Sequence, residues 1–132
     1  MTVLDASAII GILASEDDAA SLAARLGHAG AARVSAIAIY EATVGLARIG
    51  NISAADALDV VDSFLSEVNA TVIPIDATTA REALSAFARF GKGRHPAALN
   101  MGDCFAYACA RLEGEPLLCK GNDFPRTDLT LA

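Results

Sequence analysis

Four short apolar runs, residues 2–4, 32–35, 71–75 and 116–119, are separated by stretches with the period of helices. This alternation narrows the fold more than any other feature of the chain. Strands joined by helices pair in parallel and leave helices on the faces of the sheet. The expected architecture is therefore a three-layer α/β/α sandwich around a mainly parallel sheet of four or five strands, with more helix than strand. The first run, Thr2-Val3-Leu4, stops at Asp5 and turns at once into a helix, the first half of a βα unit. In open α/β sheets the functional crevice lies at such carboxyl ends of strands.

The intervening stretches carry their own punctuation. Ser7 is placed to cap a helix through residues 8–13. Glu16, Asp17 and Asp18 precede a helix from about Ala19 to Leu26 and suit the positive end of its dipole, and residues 27–30 form a turn. Residues 36–48 make a helix whose one acid is Glu41, closed by Gly50 and Asn51. Ser53 opens a helix to about Val68, with Leu58, Val61, Phe64, Leu65 and Val68 on its apolar face and Asp56, Asp59, Asp62 and Glu67 on its solvated one. Residues 76–79 cap a helix over 80–90, and residues 91–96 are a flexible basic loop. Residues 101–113 form a helix apolar almost all the way round, the pattern of an element buried on several sides, yet with Asp103 in its first turn. The last strand runs straight into Gly121-Asn122-Asp123-Phe124.

The 132 residues are expected to form one domain, residues 1–132, and a composition 54% hydrophobic and 20% charged is that of a globular protein. No apolar run reaches the roughly 18 residues that cross a bilayer. The first residues enter a strand directly and do not resemble a signal peptide, so a cytoplasmic location is expected. The net charge of −6 argues against a whole surface built for nucleic acid, although Arg89, Lys92, Arg94, Lys120 and Arg126 form a local basic group in the last third of the chain. Cys104, Cys109 and Cys119 are expected as small buried hydrophobes, and having only His28 and His95 beside them argues against a structural zinc site.

Four acids stand apart from the solvated ones because their neighbours are apolar or glycine: Asp5, Glu41, Asp103 and Asp123. An ionised carboxylate in such surroundings costs several kcal/mol unless it is paired or bound to a metal. Each has a bland alternative. Asp5 could cap the first helix, Glu41 could face solvent or pair with Arg48, Asp103 could answer the helix dipole, and Asp123 could form an Asx-turn. What favours a common role is that a parallel sheet would bring all four to one end. An acidic cluster without histidine suits the hard cations Mg²⁺ and Mn²⁺. Two such ions about 4 Å apart activate a water and stabilise the leaving oxygen of a phosphodiester. Lys92, Arg94, Lys120 and Arg126 could hold the phosphates of such a substrate.

Asp5-Ala6-Ser7-Ala8, Tyr40-Glu41, Asn100-Met101-Gly102-Asp103-Cys104 and Gly121-Asn122-Asp123-Phe124 together resemble the motifs of the PIN-domain ribonucleases, in particular the VapC-like toxins of bacterial toxin–antitoxin pairs. The resemblance extends over essentially the whole chain, and the last two motifs are the specific ones. It implies a Mg²⁺- or Mn²⁺-dependent endoribonuclease with Asp5, Glu41, Asp103 and Asp123 as its acidic metal positions. It further implies supporting roles for Ser7 and Asn122, an RNA substrate, a homodimer, and silencing by a cognate VapB-like antitoxin. A catalytically silent PIN fold that only binds RNA or a partner is the alternative. A phosphorelay receiver domain would need an acidic pair where only Asp5 stands and would leave Glu41 and Asp103 unexplained, and a haloacid-dehalogenase-type phosphatase would need a second Asp where Ser7 stands.

Overall fold

The computed structural model describes residues 1–132. Its elements are β1 (Thr2–Leu4), α1 (Ala6–Leu13), α2 (Ala19–Ala29), β2 (Ala32–Ser35), α3 (Ala36–Gly50), α4 (Ala54–Glu67), β3 (Thr71–Ile73), α5 (Ala77–Phe90), α6 (Met101–Glu113) and β4 (Leu117–Leu118), followed by a 3₁₀ turn at Phe124–Arg126. The sheet has four strands in the order β3-β2-β1-β4, all parallel, with Leu4 opposite both Val34 and Leu118. No helix is long and apolar enough to cross a membrane.

Alternation along the strands divides the core in two. Leu4, Val34 and Leu118 face a cluster built from α1, α2, α3 and α4. Val3, Ile73 and Leu117 face a second cluster, with α5 and α6. The sheet is therefore covered on both faces, as parallel sheets must be. The chain steps from β1 to β2 to β3 and then returns to the far side of β1 for β4. That reversal puts the switch point of the sheet between the carboxyl ends of β1 and β4, the place where open α/β sheets bind ligands.

Several local expectations are corrected. The first helix starts at Ala6, and its cap is Asp5, whose Oδ2 accepts from the Ser7 amide at 3.1 Å, so Ser7 is not the cap. The second helix continues through Gly27 to Ala29 before Gly30, and the fifth begins at Ala77 on a reciprocal Asp76–Thr79 capping box. The third strand is shorter than residues 71–75 because Pro74 has no amide hydrogen to continue the ladder. Leu58 is 40% exposed and Leu112 47% exposed, the small Ala57 taking the core position beside Leu58. The predicted closure of α3 holds, with Asn51 at φ +49.

Tyr107 is the largest fully buried side chain, in the middle of α6. Its hydroxyl donates to Asp128 Oδ1 at 2.5 Å, while Arg89 donates to Asp128 Oδ2 at 2.7 Å and to the Tyr107 oxygen at 3.2 Å. This knot ties the C-terminal segment to α5 and α6. The segment also lies along β4, with Leu117 donating to Thr130 O and Ala132 donating to Leu117 O. Tyr107→Phe should destabilise the protein by about 1–2 kcal/mol in urea denaturation, since it removes a donor from a carboxylate without changing the packing volume.

Candidate active site

Asp5 follows β1 at the centre of the sheet, only 5% exposed. Ser7 holds it twice, through its amide at 3.1 Å and its hydroxyl at 2.5 Å, both to Oδ2. The same Ser7 hydroxyl accepts from the Lys120 amide at 2.9 Å. One side chain thus fastens the end of β1 to the end of β4.

Glu41 arrives from α3, which starts directly after β2 on the Ser35 cap and packs against α1, α4 and α6. Asp103 arrives at the start of α6. There Asn100 Oδ1 accepts from the Asp103 amide at 2.9 Å and Asp103 Oδ2 accepts from the Asn100 amide at 3.1 Å, a closed capping box. Asp123 stands in the exposed loop beyond β4, immediately before the 3₁₀ turn. Asn122 beside it is exposed as well.

The electrostatics show that these acids share one environment. Burial pushes Glu41 up to about 7, and the charges of Asp5 and Asp103 push it the same way. Burial also raises Asp103 to about 6, against the hydrogen bond from Asn100, with Asp5 and Asp123 adding to the rise. Asp5 lies above the ordinary carboxylate range because burial outweighs the hydrogen bonds from Ser7 and Ala6. The chain's four ion pairs all lie elsewhere, so no lysine or arginine neutralises any of the four acids. As the side chains stand, no three of the chain's His, Cys, Asp and Glu groups converge tightly enough to grip one ion. The donor set nevertheless fits a hard cation, since it offers carboxylate oxygens crowded by like charge and lacking a positive partner.

Gly102 is a residue of the candidate site to which the sequence assigns no role. A Cβ at this position would fall on the carboxylate of Glu41, so the Glu41 carboxylate lies against α6 in the space that a side chain at residue 102 would take. The available signal was a glycine inside a first helical turn, where it costs roughly 1 kcal/mol relative to alanine.

The four expected phosphate-binding cations divide. Lys92 is exposed, and its segment is fastened beside the start of α6 by its amide donating to Leu99 O at 3.0 Å. Arg94 lies over the Phe87 ring at 5.0 Å, and Arg126 donates to Pro96 O at 3.3 Å. Lys120 is engaged by Glu16 and Asp18, each at 3.3 Å. These two acids, read from sequence as companions of the α2 dipole, point at Lys120, and Asp18 makes no side-chain capping bond. All three cysteines are buried and unpaired, as expected.

A family model described as PIN domain matches residues 2–129. The chain belongs to the PIN-domain family. Among its relatives, a VapC ribonuclease of Rhizobium meliloti is 42% identical over 98% of this chain and 99% of its own length. Ribonuclease VapC28 of Mycobacterium tuberculosis is 43% identical over 98% of this chain and 96% of its own length. Within the family, the chain therefore falls among the VapC ribonucleases. The fold agrees with the crystal structure of Mycobacterium tuberculosis VapC20, described as a sarcin-ricin loop cleaving toxin, at a TM-score of 0.77 and 15% identity, over 100% of this chain and 98% of the other. A toxin–antitoxin complex from Klebsiella pneumoniae contains a chain matching at a TM-score of 0.64 and 17% identity, over 89% of this chain and 83% of that one.

Two outcomes test this geometry. Gly102→Ala should fold with stability unchanged or raised by up to about 1 kcal/mol, while RNA cleavage falls by about 100-fold as Glu41 is displaced. The second concerns pH. Glu41 is raised in the folded state from 4.5 to about 7, so its contribution to metal-free stability is complete below pH 4.5 and lost as pH rises through about 7. Between pH 5 and 8 in EDTA, the wild type should therefore lose more stability than Glu41→Gln. The difference is about 1 kcal/mol once solvent screening of a half-buried group is allowed for, read from urea midpoints.

Proposed function

We propose that this PIN-domain chain is an endoribonuclease that hydrolyses RNA phosphodiester bonds at Asp5, Glu41, Asp103 and Asp123, with Mg²⁺ or Mn²⁺ as its cofactor, and that it acts as the toxin of a toxin–antitoxin pair. The observation carrying the proposal is the mutual repulsion of Glu41 with Asp5 and Asp103, and of Asp103 with Asp5 and Asp123, with no lysine or arginine paired to any of them, at the reversal point of a parallel sheet. A silent, purely binding PIN fold would have no use for that unrelieved repulsion.

The residues divide the work. Asp5, Glu41, Asp103 and Asp123 would hold the metal. Bound there, a divalent cation lowers the pKa of a water and offsets charge on the leaving oxygen of the phosphodiester. Ser7 donates twice to Oδ2 of Asp5 and the Asn100 amide donates to Oδ2 of Asp103, so each carboxylate is held through one oxygen and its plane is restrained. Asn122, adjacent to Asp123, is a supporting polar group in the same loop. An acidic cluster repels the substrate, and Lys92, Arg94 and Arg126, on segments fastened near the start of α6, offer the counter-charge for RNA phosphates.

Further parts of the proposal rest on the family and on the surface. The chain acts as a single domain in the cytoplasm, forms a homodimer and is silenced by a VapB-like antitoxin. A neighbouring fold in a toxin–antitoxin complex supports the antitoxin. Surface support comes from an apolar groove of about 460 Å³ between α5 and α6, lined by Leu84, Phe87 and Met101 among others, of the kind that protein partners cover.

Asp103→Asn keeps the size and capping position of the side chain and removes its charge. It should abolish metal-dependent cleavage of RNA by the purified protein while the thermal unfolding temperature stays within a few degrees. EDTA should silence the wild type, and Mn²⁺ or Mg²⁺ should restore it. Cleavage at the wild-type rate by the asparagine variant would show that the site lies elsewhere. Because metal competes with protons for the same oxygens, the rate at limiting metal should fall as pH drops through about 7 toward 6, and added metal should move that fall to lower pH.

A further inference from the structure

Asp123 has fewer restraints of its own than the other three acids. It is exposed and its carboxylate makes no hydrogen bond or ion pair, so its place is set by the two ends of its loop. Downstream, Phe124 is buried in the α5–α6 side of the core. Upstream, the chain leaves β4 through the buried Cys119 and Lys120 and swings round at Gly121, whose φ is +100. Between the buried Cys119 and Gly121, the chain is tethered through Lys120.

That residue is tied down twice. Its amide donates to Ser7 Oγ at 2.9 Å, and the same hydroxyl donates to Asp5 Oδ2 at 2.5 Å. Its ammonium stands 3.3 Å from Glu16 Oε1 and 3.3 Å from Asp18 Oδ1, both in the connection between α1 and α2. Asp18 Oδ1 is closed off from water and makes no hydrogen bond of good geometry, so the Lys120 charge is what compensates it. A lysine kept for substrate phosphates would be free in solvent, as Lys92 is. The Lys120 side chain is instead about one-third exposed and faces two acids.

We infer that Lys120 is a positioning residue, a strut that ties the Asp123 loop to the α1–α2 connection and so holds Asp123 toward Asp5 and Asp103. It is not a contact to RNA. Resting on the four-acid reading of the site, the inference names the internal brace on which its least restrained ligand depends. The backbone link to Ser7 sets the height of the loop above Asp5, and the ammonium prevents the loop from swinging away from the sheet. Two acid partners make the brace stiffer than a single pair.

The test titrates Mn²⁺ into the full-length protein without RNA, by calorimetry, for the wild type, Lys120→Met, Lys120→Arg and the double variant Glu16→Gln/Asp18→Asn. Lys120→Met and the double variant should both bind Mn²⁺ about tenfold more weakly, the scale of losing a group that supports a ligand. Lys120→Arg, which can still pair with both acids, should recover most of the loss. At saturating Mn²⁺ the KM for RNA should stay at the wild-type value in the double variant while kcat falls. A phosphate-binding lysine predicts the opposite, because freeing the ammonium from Glu16 and Asp18 would lower KM and leave Mn²⁺ affinity unchanged; that result overturns the inference. Should Lys120→Met fail to fold, the double variant alone decides. Amide exchange of Lys120 in EDTA separates the strut from the metal reading. Faster exchange in the double variant supports the strut, and unchanged exchange overturns it. Wild-type protein that binds no Mn²⁺ would overturn the four-acid reading, with the exchange result standing on its own.

Discussion

A carboxylate buried at the centre of the sheet with no positive side chain beside it is the constraint on which the rest of this structure turns. Asp5 cannot move away, because β1 has a strand on either side and its last residue, Leu4, is locked opposite both Val34 and Leu118. Three other elements then bring further acids toward it. Glu41 comes with α3, Asp103 with α6 and Asp123 with the loop after β4. An arrangement of this kind lowers stability on its own account, since like charges in a poorly hydrated place resist ionisation. Relief of that repulsion is what the divalent cation proposed for these acids would supply.

The protein limits that cost by giving the same acids local structural duties. Asp5 is both the N-cap of α1 and the most buried acid of the site. Asp103 closes a capping box with Asn100 and still faces its like-charged neighbours. The bland and the functional interpretations of these residues are therefore not rivals. A helix start supplies amide donors that help an acid stay ionised, and it fixes one oxygen while leaving the other free. Glu41 and Asp123 have no such support. Glu41 lies in the space that a side chain at residue 102 would take, and Asp123 depends on the fastening of its loop at either end.

Much of the site was legible because its signals are local. An acid at the end of an apolar strand, or in the first turn of an apolar helix, is conspicuous without any knowledge of what packs against it. The parallel sheet and the order of its elements followed from the alternation of strand and helix in the same way. The errors were of two kinds. Boundaries moved by a few residues where capping geometry decides them, as with Asp5 in place of Ser7 and Ala77 in place of Ala80. Burial differs from the periodicity where a smaller residue takes the core position, as Ala57 does beside the exposed Leu58. Periodicity gives the face of a helix but not how closely its neighbour approaches.

The amino-acid sequence by itself determined the fold class and singled out four acids as candidates for one kind of chemistry, because strand–helix alternation and a carboxylate's cost among apolar neighbours are properties of short segments. Only the tertiary structure decided which groups meet. That Glu41 lies against Gly102, and that Lys120 spends its charge on Glu16 and Asp18 within the protein, depends on contacts between segments far apart in the chain. Charge and spacing alone make Lys120 equivalent to Lys92. The packing of β4 beside β1, with the α1–α2 connection within reach of a lysine side chain, makes them different.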